Sequence, residues 1–312
     1  MNNLKIAFDC VIPIFLDLLV GYYAKKRKIV PKEVFAKLNT LSFHVLLPML
    51  VFSNLYSADY SGTFPVRAPI FAILMTLTFY LAATFFTKKQ TSDFRRRGAY
   101  IQNSFRSNIG IMGLPLAASL TSGAGLATVT ISIAVLIPIY NILGVIALES
   151  CSGQETSTKK MLKDISTNPI IISTAVGLVM VLLGIRLPAS VSNAISSLGK
   201  AGAVLSLMTL GASLTVDSMR NNGMRIFWSC LSRLVILPII AITLAIILGF
   251  RNDLLIAVLI VFATPTATVC YTMAQAYDSD YELSGQMVVA SSLLSCGTLF
   301  LLIFTLKQMG FI

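Results

Sequence analysis

Two short stretches of this chain hold residues that could grip a solute: Arg106-Ser107-Asn108-Ile109-Gly110-Ile111-Met112-Gly113-Leu114-Pro115 and Phe262-Ala263-Thr264-Pro265-Thr266-Ala267-Thr268. Each interrupts a long apolar run with glycine, proline and small polar residues. Hydrocarbon cannot hydrogen-bond a freed amide or carbonyl, so broken backbone at membrane depth survives only where it is buried in protein or lines a polar cavity. In the first stretch Asn108 and Gly110 are expected to loosen the helix, and Gly113 and Pro115 to restart it. In the second, Pro265 lacks a backbone donor and suits the first position of a new helix, with Thr264 as its cap. Each restart exposes a helix N-terminus with free amides and about half a positive charge, a ready place for a carboxylate. Glycine and proline alone could merely kink a packed helix. Two breaks, with Asn or Thr at both, favour a substrate site built from Arg106, Ser107, Asn108, Gly110, Thr264, Pro265, Thr266 and Tyr271, helped by Ser104 and Thr268.

Ionisable groups inside apolar runs are costly and mark candidate functional sites. Arg106 could pair with an anionic substrate or snorkel toward the surface beside Arg95, Arg96 and Arg97. Arg233 reads as a structural pairing residue. Asp17 is the most deeply placed carboxylate, either a proton carrier or the static partner of a basic residue. His44, the one histidine, reads as a satisfied core imidazole ahead of a proton relay. The five cysteines, Cys10, Cys151, Cys230, Cys270 and Cys296, have no metal-ligand spacing and read as small buried hydrophobes. The scattered acids and lone histidine give no nucleophile-base pair, so an enzyme is not expected, and neither a metal nor a cofactor is called for.

The elements that must position these residues are membrane helices. Of the 312 residues 56% are hydrophobic and only 12% charged, against roughly 25% charged in an ordinary soluble domain. The mean hydropathy is +0.82. With about 20 residues per crossing, the apolar runs fall near 4–24, 39–57, 66–87, 98–120, 125–148, 168–184, 199–216, 224–249, 253–275 and 284–306, about ten spans. The net charge of +11 resides largely in the gaps between them, which points to an anionic lipid surface, at roughly 1 kcal/mol per basic residue, rather than to nucleic acid. Lys25-Lys26-Arg27-Lys28, Lys88-Lys89, Arg95-Arg96-Arg97 and Lys159-Lys160 fall on one side, whereas Arg67, Arg186 and Arg251 fall on the other. The positive-inside rule then puts both termini outside the cytoplasm, in a plasma (inner) membrane.

The halves repeat. Pro13-Ile14 followed by Gly21 recurs at the same spacing as Pro169-Ile170 followed by Gly177. Pro31, Val34, Leu38, Thr40 and Leu41 find counterparts in Pro188, Val191, Ile195, Ser197 and Leu198. The expectation is an all-α membrane protein of two five-helix repeats, residues 1–150 and 168–312, joined by a cytoplasmic linker over 151–167. An odd number of spans inverts the second repeat, so the broken fourth and ninth helices would cross at the midplane, as in many secondary transporters.

Phe105-Arg106-Ser107-Asn108-Ile109-Gly110-Ile111-Met112-Gly113-Leu114-Pro115-Leu116-Ala117, the Ala263-Thr264-Pro265-Thr266-Ala267 break with its following Tyr271-Thr272-Met273-Ala274-Gln275-Ala276-Tyr277, the opening Pro13-Ile14-Phe15 with Gly21-Tyr22, and Asn168-Pro169-Ile170 together resemble the auxin efflux carrier family. The resemblance runs over essentially the whole length. It implies a fold related to sodium/bile-acid symporters, with the first two helices of each repeat forming a scaffold and the other three a transport domain. It also implies carriage of organic anions, auxin in the plant members and dicarboxylates such as malate or malonate in bacterial ones. The short 149–167 loop favours the bacterial type. The expected function is alternating-access transport of a small mono- or dicarboxylate, with a proton or sodium as the candidate coupling ion and a second copy of the chain as a candidate partner. The competing reading is a receptor or scaffold that binds an organic acid without moving it.

Overall fold

A computed structural model describes residues 2–57, 66–151 and 158–312. Residues 152–157 of the expected linker lie outside the described residues. Every regular element described is helical: α1 (Asn2–Lys26), α2 (Glu33–Tyr56), α3 (Arg67–Gln90), α4 (Phe94–Phe105), α5 (Ile109–Leu120), α6 (Ala124–Glu149), α7 (Thr158–Thr167), α8 (Pro169–Leu182), α9 (Ala189–Ser213), α10 (Val216–Asn221), α11 (Gly223–Ile247), α12 (Asp253–Ala263), α13 (Val269–Ala276) and α14 (Tyr281–Gln308). Six of them, α2, α3, α6, α9, α11 and α14, are long and apolar enough to cross a bilayer, and the bent pair α7–α8 makes a seventh candidate. The chain is therefore a multi-pass helical membrane protein. The sequence runs near 98–120 and 253–275 are each divided into two short helices, α4 with α5 and α12 with α13.

Local chemistry explains several boundaries. Asn168 caps α8 by accepting from the amides of Ile170 and Ile171 at 2.9 and 3.1 Å, with Pro169 in the first turn where its missing donor costs nothing. Asp280 caps α14 through the Leu283 amide at 3.0 Å. Three widened π-turns, Ser42–Leu46, Ile109–Gly113 and Ser232–Ile236, are each followed directly by a Leu-Pro pair: Leu47-Pro48, Leu114-Pro115 and Leu237-Pro238. A proline ring in a helix clashes with the carbonyl four residues back. That carbonyl belongs here to His44, Ile111 or Leu234, inside each π-turn, and widening the turn carries it clear of the ring.

The most extensive contacts join α1 with α9, α2 with α8 and α2 with α9. A second group gathers α3, α4, α6, α11, α12, α13 and α14. The first group packs through glycine: a side chain on Gly21 would collide with the Met208 backbone, one on Gly211 with Leu18, and ones on Gly199 and Gly202 with the backbone of Leu50 and Leu46. Small residues let helix backbones approach where lipid offers no hydrophobic drive to bring them together. The two groups cut across the sequence halves, since α1 and α2 come from the first and α8 and α9 from the second.

Candidate functional site

The two breaks meet inside the second group. α4 ends at Phe105 and α12 at Ala263, and the extended segments that follow them run side by side as an isolated antiparallel bridge between Ser107 and Thr266. The Asn108 amide donates to the Pro265 carbonyl at 2.8 Å, and the Ala267 amide to the Arg106 carbonyl at 3.1 Å. Each broken backbone thus satisfies the other, as backbone at membrane depth requires. Arg106, Ser107, Asn108, Thr264, Thr266 and Thr268 are all buried here.

The position of each break differs from the sequence expectation. The first falls at Arg106–Asn108. Gly113 and Pro115 do not restart the helix but lie inside α5, Gly113 closing its π-turn against Ile133 and Pro115 opening the regular turns. In the second, Pro265 is not the first residue of the new helix, which begins at Val269, and Thr264 does not cap it: its hydroxyl bonds back to the Ile260 carbonyl at 3.0 Å. Thr264 is extended, with φ −66° and ψ 148°, the conformation favoured for a residue preceding proline. Both helices nevertheless present N-termini next to the bridge, α5 at Asn108 and α13 at Thr268.

The side chains around the bridge are polar and tightly held. Ser107 Oγ and the Tyr140 hydroxyl share a 2.8 Å hydrogen bond. Thr266 donates through its hydroxyl to the Asn103 carbonyl at 3.1 Å and through its amide to Ser291 Oγ at 3.2 Å. Arg106 does not snorkel: its guanidinium turns inward and donates to Asn141 Oδ1 at 2.5 Å and to Met273 Sδ at 2.9 Å. Gly144 makes room for it, since a side chain there would press on Nη1. Arg233, fully buried, donates from Nη2 to the Thr264 carbonyl at 2.8 Å, so it pairs with the break itself. Among the described residues the ion pairs involve Arg95 and Arg96 with Asp93, Asp278 and Asp280 at the surface, and neither buried guanidinium has a carboxylate partner. Several buried donors and acceptors around the bridge have no partner: Asn108 Nδ2, both amide atoms of Gln102, Asn103 Oδ1, and Nε and Nη1 of Arg233.

Other expected site residues stand apart. Gly110 is half-buried, and its carbonyl faces Asn54 Nδ2 at 3.4 Å, a contact between α5 and α2. Tyr271 is buried and directs its hydroxyl to the Thr209 carbonyl of α9 at 3.5 Å, not to the bridge. Ser104 bonds to its own helix through the Tyr100 carbonyl. Asp17 is half-buried on α1. His44 is exposed rather than a core imidazole; its Nδ1 lies 2.9 Å from the Thr40 carbonyl. It lines a cavity of about 730 Å³ with Asn39, Glu149, Asp164, Asn168 and Gln275. Two hydrogen bonds join residues of its lining, Asn39 Nδ2 to Gln275 Oε1 at 2.7 Å and Asn168 Nδ2 to the Tyr277 hydroxyl at 2.9 Å. Asn39, Asn54, Tyr140 and Asn141 were not singled out by sequence, although an amide or hydroxyl inside an apolar run was the available signal.

Divided helices, with their freed backbone and buried cations gathered at one bridge, define a membrane protein organised around an internal polar locus. The family described as membrane transport protein matches residues 6–303, so the chain belongs to it, the same family as the auxin efflux carriers that the motifs resemble. An uncharacterized transporter of Methanocaldococcus jannaschii is 23% identical over 317 residues, spanning 96% of this chain and 97% of its own. One of Methanothermobacter thermautotrophicus is 24% identical over 289 residues, with 92% and 94% covered. A protein of Rhizobium meliloti named as a candidate malonate transporter is 25% identical over 317 residues, with 96% and 95% covered.

Proposed function

We propose that this membrane transporter carries small organic anions, mono- or dicarboxylates of the malate or malonate kind, by alternating access. The observation that carries the reading is the bridge itself. Two helix N-termini and two buried guanidiniums converge there without a carboxylate among the ion pairs, so the locus is cationic and surrounded by polar atoms lacking partners. An anionic ligand complements both features. The candidate malonate transporter among the relatives supports the dicarboxylate. Asn108, with its free Nδ2 and its place at the start of α5, is the leading ligand contact, followed by Ser107, Gly110 and Thr266.

The element order supports the inverted repeat. Three helices, a broken pair and one long helix, α1 to α6, are followed after α7 by α8, α9, α11, another broken pair and α14. With each broken pair as one span this makes five plus five, over residues 1–150 and 168–312, and an odd count inverts the second set. Alternating access is then a movement of the bridge-bearing group against α1, α2, α8 and α9. The test is counterflow in liposomes: vesicles loaded with unlabelled malonate should accumulate external labelled malonate transiently. Saturable binding of malonate without any counterflow would favour the receptor reading instead.

A further inference from the structure

Helices α3, α4 and α11 enclose a cavity of about 1040 Å³, separate from the bridge and from the His44 cavity. α3 and α11 pack on each other chiefly along Leu237–Ile247, and toward the start of α11 the gap between them is backed by α4. On α3 the lining follows one helical face from Met75 to Gln90, and on α11 one from Leu244 back to Arg225. Phe86, Ile236 and Ile240 on these walls remain exposed, so the cavity opens sideways to the bilayer. The hydroxyls of Thr78, Thr87 and Ser104 are spent on carbonyls of their own helices, at 2.8, 2.7 and 2.8 Å, and ask nothing of an occupant. The stretch from Met75 to Gln90 measures about 22 Å at 1.5 Å per residue. That is close to the depth of one leaflet, about 15 Å of hydrocarbon and roughly 6 Å of headgroup. Charge is confined to the Gln90 end. Arg225 is the one charged residue of the lining, Trp228 stands a turn deeper, and Lys88 and Lys89 immediately precede Gln90. Arg225 donates to Asn222 Oδ1 at 2.9 Å. Among the described residues the ion pairs leave out Arg225, Lys88 and Lys89, whereas Asp93 and Asp280 are both taken by Arg96 at 3.3 Å.

We propose that this cavity binds one anionic glycerophospholipid, with an acyl chain laid between α3 and α11 and the phosphate held at Arg225, beside Lys88 and Lys89. A groove one leaflet deep, apolar along its length and cationic at one end, complements a ligand that is itself apolar along its length and anionic at one end. Guanidinium suits the phosphate because its planar fork can donate two parallel hydrogen bonds. Basic pockets between membrane helices recognise anionic headgroups in this way, and a tryptophan ring settles at the same level. Each basic residue there favours an anionic lipid by about fivefold. A zwitterionic lipid brings its own cation to the basic mouth and gains less. The lining also adjoins the bridge in sequence: Ser104 lies two residues before Arg106, and Ser232 immediately precedes Arg233. A bound chain therefore bears on the two helices that carry the buried guanidiniums, whichever anion the protein transports.

Trp228 is the single tryptophan of the chain, so its fluorescence reports on the cavity it lines. The full-length protein is reconstituted into phosphatidylcholine vesicles in which a rising fraction of the lipid is replaced by phosphatidylglycerol or phosphatidylcholine with brominated acyl chains, which quench tryptophan on contact. Half-maximal quenching is expected at about a fivefold lower fraction of the phosphatidylglycerol. Arg225→Gln should bring the two lipids toward parity. Ala82→Phe, which fills the cavity without changing charge, should do the same. Arg27→Gln, at an exposed basic residue just past α1, should keep the preference. Equal quenching by the two lipids in the wild-type protein overturns the proposal. So does a preference that stays undiminished in Arg225→Gln or Ala82→Phe, or one that Arg27→Gln removes as fully, because the attraction would then belong to the basic surface at large. If Ala82→Phe does not fold, Ala82→Leu takes its place with the same expected and overturning results.

Discussion

Asn108 and Arg106 lie two residues apart and carry different duties. Arg106 is committed to protein: its two guanidinium nitrogens hold Asn141 and Met273, and Gly144 is small to admit it. Arg106→Gln strands the buried Asn141 oxygen, at a cost of about 1–3 kcal/mol, and should appear first as a lower unfolding temperature. Asn108 Nδ2 is buried and uncommitted. Asn108→Asp keeps the volume but replaces that donor with negative charge, so malonate binding should weaken by at least about tenfold to 150-fold, the equivalent of losing a charge-assisted hydrogen bond. Titration calorimetry beside thermal unfolding separates the two: an Asn108→Asp protein that is folded and binds normally would remove Asn108 from the site. Arg106 does not take the surface route its sequence neighbours Arg95, Arg96 and Arg97 suggest, because its guanidinium is turned inward onto Asn141 and Met273.

At the scale of elements, Pro265 keeps α12 and α13 apart. It holds Thr264 extended, and its own carbonyl takes the Asn108 amide. Pro265→Ala removes the restriction on Thr264 and lets α12 continue, which would pull the carbonyl from Asn108 and undo the bridge. Counterflow should fall far more than the yield of folded protein; unchanged transport would show that the bridge is dispensable. The glycine seam makes a separate prediction. Gly21→Leu should force α1 off the Met208 backbone and lower the unfolding temperature sharply, whereas Gly223→Ala, with open space around it, should not. Both breaks were legible in the sequence because glycine and proline stand out in apolar runs. Their positions were less so. The first break is fixed by partners from the other half of the chain, notably the Pro265 carbonyl, and local composition drew attention instead to Gly113 and Pro115. The π-turns have no periodic signature of their own, although Leu-Pro inside an apolar run marks all three. The Arg106–Asn141 and Arg233–Thr264 pairs join separate helices and could be seen only once the fold was in hand.

For the whole molecule, the loops sort into two faces. On one, Arg67 Nη2 donates to the Leu248 carbonyl at 3.1 Å, Thr121 Oγ1 to Asp253 Oδ1 at 2.6 Å, and the Asn252 amide to the Phe311 carbonyl at 2.8 Å, which ties the C-terminal end to that side. On the other, Arg95 pairs with Asp278 at 2.6 Å, Ser279 Oγ donates to the Arg95 carbonyl at 2.6 Å, and Asn168 holds Tyr277. The second face carries Lys88, Lys89, Arg95, Arg96 and Arg97, and the first Arg67, Arg186, Arg251 and Lys307. Basic loops are retained in the cytoplasm and acidic residues contribute little to orientation, so Asp278 and Asp280 do not offset that bias. The prediction is that the second face is cytoplasmic and the C-terminal end lies outside. In a cysteine-free background, a cysteine at the exposed Arg186 should react with an impermeant thiol reagent in intact cells, and one at the exposed Ser92 only after permeabilisation. Labelling of Ser92→Cys in intact cells, with Arg186→Cys protected, would turn the molecule over and place the His44 cavity outside instead of toward the cytoplasm.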